Sequence, residues 1–150
     1  IMIRLARIED TATVAAIVHA AYVGYQTSIG TTPGPMLDDY NDLVARKLVH
    51  VLEENGDILG LIVLIPEERT LLLDNVAVRP DAQGRKLGSR LIAFAEREAR
   101  AAGYDSIRLY TQELMTENRA RYAHLGFVET HRAEEKGLKR VYMTKRLSPT

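Results

Sequence analysis

The residues best equipped to hold an anion lie where LLLDNVAV, residues 71–78, passes through RPDAQGRK into LGSRLIAFAERE, residues 87–98. The continuous Leu/Val run suits a strand buried on both faces, and Arg79-Pro80 ends it because proline donates nothing to a sheet ladder. From Leu87 the apolar positions Leu91, Phe94, Ala95 and Ala102 recur at helical spacing until Gly103 supplies a stop. The first N–H groups of such a helix have no intrahelical acceptor, its dipole puts positive charge there, and Arg85 and Lys86 add two cations. A phosphate would be drawn to that point, with Gly84 and Gly88 letting it approach the backbone. The familiar phosphate motifs do not fit. GxGxxG needs glycines at other spacings, and the P-loop needs Gly-Lys-Ser/Thr, whereas here Gly84 and Gly88 are four apart with Ser89 following.

Residues 83–88 resemble the acyl-CoA pyrophosphate loop of the GNAT superfamily of N-acetyltransferases, Q/R-x-x-G-x-G/A, preceded by its V-x-V strand, here Val76-Ala77-Val78. Lys86 departs from the pattern, standing where the family usually has glycine. A position that needs positive φ or a bare backbone would be damaged by lysine. A position in the first helical turn would gain a useful charge, and this second case is the expectation. A second segment, ENRARYAHLGFVE (residues 117–129), carries Tyr122-Ala123-His124-Leu125-Gly126-Phe127, which resembles the family's YxxLGF ending. Gly126 also suits the residue that closes a helix, on physical grounds alone. With the terminal VYMTKRL, the resemblance spans essentially the whole chain.

The resemblance implies acetyl-CoA as co-substrate, without a metal, and a primary amine of unidentified nature as acceptor. It implies cofactor contacts from the backbone of Val76, Ala77 and Val78 and from Gln83, Gly84, Arg85, Lys86, Leu87, Gly88 and Ser89. It makes Tyr122 the general acid that protonates the departing thiolate. The family's asparagine commonly lies seven residues before this tyrosine, where Met115 stands, so Asn118 is the nearer candidate for a cofactor contact. An amine with pKa near 10.4 needs about 4–5 kcal/mol to lose its proton at pH 7, so a base, a water chain or desolvation should assist. Asp74, in an otherwise apolar strand, is a candidate base, because a carboxylate there is costly unless paired or beside a cavity. A structural salt bridge, or a hydrogen bond involving Asn75, is the competing reading. Glu113 is a second candidate for base or amine anchor, and the family often relays the proton through water. Tyr22, Tyr25 and, beside Asp74, Asn75 are candidate acceptor contacts. In relatives the region of residues 22–41 lies over the acceptor, and its Tyr22, Tyr25, Met36, Asp38, Asp39 and Tyr40 combine aromatics with acids that suit a cationic amine, or equally an ordinary solvated helix-loop-helix. A small amine, an amino acid, an aminoglycoside-like compound and a protein N-terminus or lysine all stay open.

These residues need elements to position them. The pattern predicts a strand at residues 2–8, a helix at 11–25 with Asp10 as N-cap, a loop with Gly30, Pro33, Gly34 and Pro35, and a helix at 36–47. Strands follow at 48–53, 57–65 and 71–78, the first two joined through Asn55-Gly56, a strong hairpin signal. The helix from Leu87 and a strand at 106–111 complete a crossover that favours parallel pairing. Residues 115–125 read as helix, and 127–132 with 139–147 as a final hairpin with its tip at 134–137. The expectation is one α/β domain over residues 1–150, GNAT-like, with a mixed, partly antiparallel central sheet flanked by helices.

Composition narrows the alternatives. The 150 residues, 46% hydrophobic, suffice for one substantial core, and twenty basic against twenty acidic residues leave no global field for nucleic acid or an anionic membrane. The absence of cysteine excludes disulfides and a cysteine acyl-enzyme and agrees with a cytoplasmic location. His19, His50, His124 and His131 show no metal-ligand spacing, and no serine lies in GxSxG. The longest apolar run, residues 58–65, is far below the roughly 20 residues of a membrane helix. The Ala-rich stretch 11–25 follows acidic Glu9 and Asp10, so it reads as an amphipathic helix rather than a signal sequence. Oligomeric state is open, a homodimer included. Two other functions compete: an acyl-CoA-binding sensor without catalysis, against which Tyr122 argues, and a nucleotide or nucleic-acid binder at Arg85 and Lys86, which lacks the expected aromatic and basic stripe.

Overall fold

The computed structural model describes residues 1–29, 34–135 and 137–148; Gly30 and Pro33 of the expected loop lie outside the described residues, as does the side chain of Tyr25. The strands are β1 (Met2–Leu5), β2 (Val49–Glu54), β3 (Asp57–Pro66), β4 (Thr70–Val78), β5 (Ser106–Gln112), β6 (Val128–Glu135) and β7 (Leu138–Arg146). The helices are α1 (Thr11–Ile29), α2 (Tyr40–Ala45), α3 (Leu87–Ala101) and α4 (Thr116–His124). The strands form one sheet in the order β1-β2-β3-β4-β5-β7-β6. β4 and β5 pair parallel across the α3 crossover, while β1–β2, β2–β3, β5–β7 and β6–β7 pair antiparallel, so the expected mixed α/β sheet is present.

The chain forms two compact units, and β4 contributes to both. The first comprises Ile1–Leu64 and Asp74–Ala95. Its core is β3, where every residue from Ile58 to Leu64 is buried, together with Val14, Ile17 and Val18 of α1 and Leu91 and Ile92 of α3. Gly60 belongs to this packing, since a Cβ there would lie 2.9 Å from the Ala77 carbonyl oxygen and 3.3 Å from Leu91 Cδ1. The Asn55-Gly56 turn has φ of 52° and 85°, the paired left-handed conformation that a two-residue hairpin with matching twist requires. The second unit comprises Ile65–Leu73 and Glu96–Thr150, with Ile107 and Leu109 of β5 and Val141 and Met143 of β7 at its centre.

Several boundaries differ from those predicted, each for a local reason. β1 stops at Leu5 because a 3₁₀ turn occupies Ile8–Asp10. Asp10 does not cap α1: its carboxylate accepts from the Arg7 N–H at 2.8 Å and from the Arg4 guanidinium at 2.8 Å, so it holds the turn before the helix. The helix expected at 36–47 is a 3₁₀ turn, Gly34–Leu37, followed by the shorter α2, whose start is set by Asp39 accepting from the N–H groups of Asn41 and Asp42. β6 runs on to Glu135, making the last hairpin longer than its apolar pattern indicated.

The bond from Arg4 holds the Asp10 carboxyl below its usual pKa against the opposing effect of burial. Its stabilisation is therefore complete above the unfolded-state pKa near 4 and is lost as pH falls through the lower folded-state value. Asp10→Asn should lower stability at pH 7 by about 1.5–3 kcal/mol. Denaturant melts across pH should show the gap between parent and variant narrowing below about pH 4.

Candidate functional site

The parallel ladder of β4 with β5 runs from Thr70 opposite Ser106 to Leu73 opposite Leu109, and residues 74–78 of β4 lie beyond it. On the other side β4 stays bonded to β3, and just past its end the Arg79 N–H donates to the Leu59 carbonyl at 2.8 Å. Because strand groups alternate, this register turns the polar groups of Ala77 toward β3 and those of Val76 and Val78 away from it. Of the three residues expected to offer backbone to a pantetheine arm, Val76 and Val78 thus carry the outward groups. The Val78 carbonyl accepts a long contact, 3.5 Å, from Gln83 Nε2.

Asn75, 3% exposed, is the buried polar residue of this segment. The Tyr22 hydroxyl donates to its Oδ1 at 2.8 Å, with the Val76 carbonyl a longer acceptor at 3.2 Å. Asn75 Nδ2 donates to the Tyr40 hydroxyl at 3.1 Å, and that hydroxyl donates to the Pro35 carbonyl at 2.6 Å. The directions are fixed by counting protons: Tyr40 has one, it goes to Pro35, and so Asn75 must present its NH₂ there. Burial pushes the Tyr40 hydroxyl well above the usual tyrosine pKa, with the charges of Asp38 and Asp74 acting in the same sense, so this proton stays in place. Tyr22 and Asn75, expected as acceptor contacts, are together in one buried network that ties α1 and the α2 region to β4. Tyr40 is one of the aromatics of the 22–41 region expected over the acceptor, but nothing local in the sequence marks its partner, 35 residues away. Asp74 is half-buried and has partners of its own.

After Val78 a 3₁₀ turn, Pro80–Ala82, leads into the loop. Gly84 has φ +87° and Lys86 has φ +60°. Lys86 therefore precedes the helical turns in which it was expected: α3 begins at Leu87, and the Lys86 carbonyl accepts from the Arg90 N–H at 3.2 Å. The position demands the left-handed conformation that glycine adopts freely and lysine adopts at a cost of about 1–2 kcal/mol. Gly84 and Lys86 are thus left-handed on either side of Arg85, the kind of turn in which successive backbone N–H groups can face an anion, and the first-turn amides of Leu87, Gly88 and Ser89 follow directly. Leu87 is buried and anchors the helix start, while Gln83, Gly84, Arg85, Lys86 and Gly88 are at or near the surface and Ser89 is half-buried. A Cβ at Gly84 or Gly88 would meet nothing within 4 Å. Arg85 is not idle: its Nη2 lies 2.5 Å from Glu54 Oε2, a partner the linear sequence does not indicate.

In the second unit, α4 ends as its glycine implied. Gly126 has φ +101°, its N–H donates to the Ala123 carbonyl at 3.1 Å, and the Phe127 N–H reaches back to the Tyr122 carbonyl at 3.0 Å. This closure sets Tyr122 against Phe127, with ring centroids 5.9 Å apart and edge to face. Tyr122 is buried and its contacts do not leave it isolated. Met115 is buried beside Thr111, whose hydroxyl lies 3.7 Å from its sulfur, so the position where the resemblance would put asparagine is used for packing. Asn118 is half-buried on α4. Glu113 is half-buried, its carboxylate 3.9 Å from Arg132 and its carbonyl accepting from Arg119 at 3.0 Å. Among the described residues no cluster of three or more His, Cys, Asp or Glu could hold a metal ion, and no helix is long and apolar enough to cross a membrane.

The sequence profile of the acetyltransferase (GNAT) family matches residues 15–127. No curated protein matches the sequence. Among solved structures the fold is similar to PaiA N-acetyltransferase from Thermoplasma acidophilum in complex with coenzyme A, at TM-score 0.77 and 20% identity, covering 97% of this chain and 98% of that one. It is similar to the ribosomal-protein-S18-alanine N-acetyltransferase of Escherichia coli, at TM-score 0.78 and 18% identity, covering 99% and 95%. Ard1 from Thermoplasma volcanium matches at TM-score 0.78 and 22% identity, covering 98% and 97%. At these identities the likeness is one of fold.

The three loop positions should respond differently to substitution in the ligand-free protein. Lys86→Gly should raise stability by about 0.5–1 kcal/mol, the strain relieved less the entropy glycine adds to the unfolded chain. Gly84→Ala should cost about 1–2 kcal/mol, whereas Gly88→Ala, in a helix with open space around it, should gain about 0.5–1 kcal/mol. Chemical denaturation of the three variants measures this ordering.

Proposed function

Because the chain belongs to the GNAT acetyltransferase family, we propose that it transfers the acetyl group of acetyl-CoA to a primary amine by direct attack in a ternary complex. The observation that carries this reading is the continuous stretch from Val76 to Ser89, in which outward strand groups, two left-handed residues and the start of a helix follow one another. It offers a long, polyanionic ligand backbone groups along its length, with the cations of Arg85 and Lys86 at the loop. In this reading Val76 and Val78 accept the pantetheine amides as a neighbouring strand would, and the loop amides with Arg85 and Lys86 take the pyrophosphate. The Thermoplasma acidophilum neighbour was crystallised with coenzyme A, which supports the same ligand class here.

The chemistry then proceeds in two bond changes. The amine nitrogen attacks the thioester carbonyl to give a tetrahedral intermediate, and the C–S bond breaks as the carbonyl reforms. The amine proton goes to a base, for which Asp74 or a water it orders is proposed. Tyr122 gives its hydroxyl proton to the departing sulfur, a role suited to a group that holds its proton at pH 7. Asn118 is proposed as a cofactor contact and Glu113 as an amine anchor. The network of Tyr22, Asn75 and Tyr40 is proposed to shape the acceptor side by holding residues 74–76 in place. The absence of cysteine suits the cytoplasm, where we propose it works.

A panel of small amines, amino acids, aminoglycosides and peptides, read by free-thiol release and product mass, tests the activity. The name of the Escherichia coli neighbour gives an alanine of ribosomal protein S18 as its acceptor, which places peptide N-termini in that panel. Binding of acetyl-CoA without turnover on any amine would instead point to a sensor. Tyr122→Phe keeps the ring and removes only the donor, so acetyl-CoA affinity should stay nearly unchanged while turnover falls by about 10²- to 10⁴-fold. The loss should shrink with an acyl donor whose leaving group has a lower pKa. Calorimetry and steady-state kinetics under chemistry-limited conditions separate the two effects.

A further inference from the structure

We propose that Glu54 competes, from within the chain, with the ligand's phosphate groups for Arg85. The proposal rests on residues 83–88 being the phosphate loop. Arg85 Nη2 lies 2.5 Å from Glu54 Oε2, with the arginine side chain 46% exposed and the glutamate 30% exposed. Neither partner arrives by chance of a long flexible segment. Glu54 is the last residue of β2, opposite Asp57 across the Asn55-Gly56 turn. Arg85 is fixed at its backbone between left-handed Gly84 and Lys86. The pair is thus a contact between two pinned turns.

A carboxylate on the guanidinium does two things to an incoming anion. It occupies donors that would otherwise meet phosphate, and it places a negative charge within about one Debye length of the loop amides. A ligand must displace Glu54 or bear its repulsion, and a diphosphate can meet that cost better than a singly charged anion. Exposed pairs of this kind are weak, so the contact adjusts affinity rather than closing the site. The consequence is faster release of coenzyme A than the loop would otherwise allow, and a loop whose arginine is held ready while empty.

Five proteins decide it: the parent, Glu54→Gln, Glu54→Ala, Arg85→Gln and the Glu54→Gln/Arg85→Gln double variant, titrated calorimetrically with coenzyme A at low and high salt. Glu54→Gln should tighten binding by about two- to fivefold at low salt, with a smaller gain at high salt. Arg85→Gln should weaken binding, and in its presence the Glu54 substitution should do little. The KM for acetyl-pantetheine, which has no phosphate, should not move in Glu54→Gln. Glu54→Ala, which leaves the Asn55-Gly56 turn intact, should repeat the tightening. Unchanged or weaker binding in both Glu54 variants, with Arg85→Gln still impaired, overturns the competition and leaves the loop assignment standing. Equal tightening with and without Arg85 assigns the effect to the general field and also overturns it. Parent-like binding by Arg85→Gln removes the arginine from phosphate recognition and takes the proposal with it.

Discussion

The parallel ladder between β4 and β5 ends at Leu73 opposite Leu109, and the rest of the candidate site depends on that ending. A strand in the middle of a sheet ordinarily spends its polar groups on both neighbours, and unspent groups are costly when buried. Here residues 74–78 keep β3 on one side, so the outward groups of Val76 and Val78 must find other partners. The Tyr22 hydroxyl lies 3.2 Å from the Val76 carbonyl but spends its one proton on Asn75 Oδ1 at 2.8 Å. The same residue, Leu73, is the last of β4 in one compact unit and Asp74 the first in the other. Chemistry-bearing residues begin where the regular pairing stops.

A polar network joins the pairing with β3 and the packing of Ala77 in holding this segment. Asn75 is buried within a run of leucines and valines, and it is tolerable only because both ends of its amide are met, by Tyr22 and Tyr40. Tyr40 in turn depends on the Pro35 carbonyl, so a loop backbone group enters the arrangement of a central strand. A fully satisfied network of this kind fixes geometry, which an apolar contact of equal area would leave freer to slide. The loop at residues 83–88 is held differently, by backbone conformation, with Lys86 in a left-handed state that α3 and the preceding turn impose.

The parts legible in the sequence were those that one residue type dictates locally. Asn55-Gly56 could only be a tight hairpin turn, Gly103 and Gly126 end α3 and α4 with positive φ, and the apolar run before Arg79-Pro80 is the expected strand. The family resemblance rested on such local features and therefore held. Lysine at position 86 gives no sign of positive φ, because its propensities favour a helix and only the surrounding turn overrules them. Asp10 shows the complementary failure: its residue type suits a cap, but its carboxylate is taken by the Arg4 guanidinium and the Arg7 N–H. Contacts between distant positions were invisible for want of a register, as with Tyr40 and Asn75 or Glu54 and Arg85.

The central claim is that backbone groups from Val76 to Ser89 receive the acyl-CoA ligand. Amide hydrogen exchange, read residue by residue with and without saturating coenzyme A, tests it most directly. The account predicts slowing concentrated at Val76, Val78 and the amides of residues 84–89, well beyond any change in β2 or β3. Slowing spread evenly over all strands, as general stabilisation by a ligand bound elsewhere would give, or no change at residues 76–89, would contradict it.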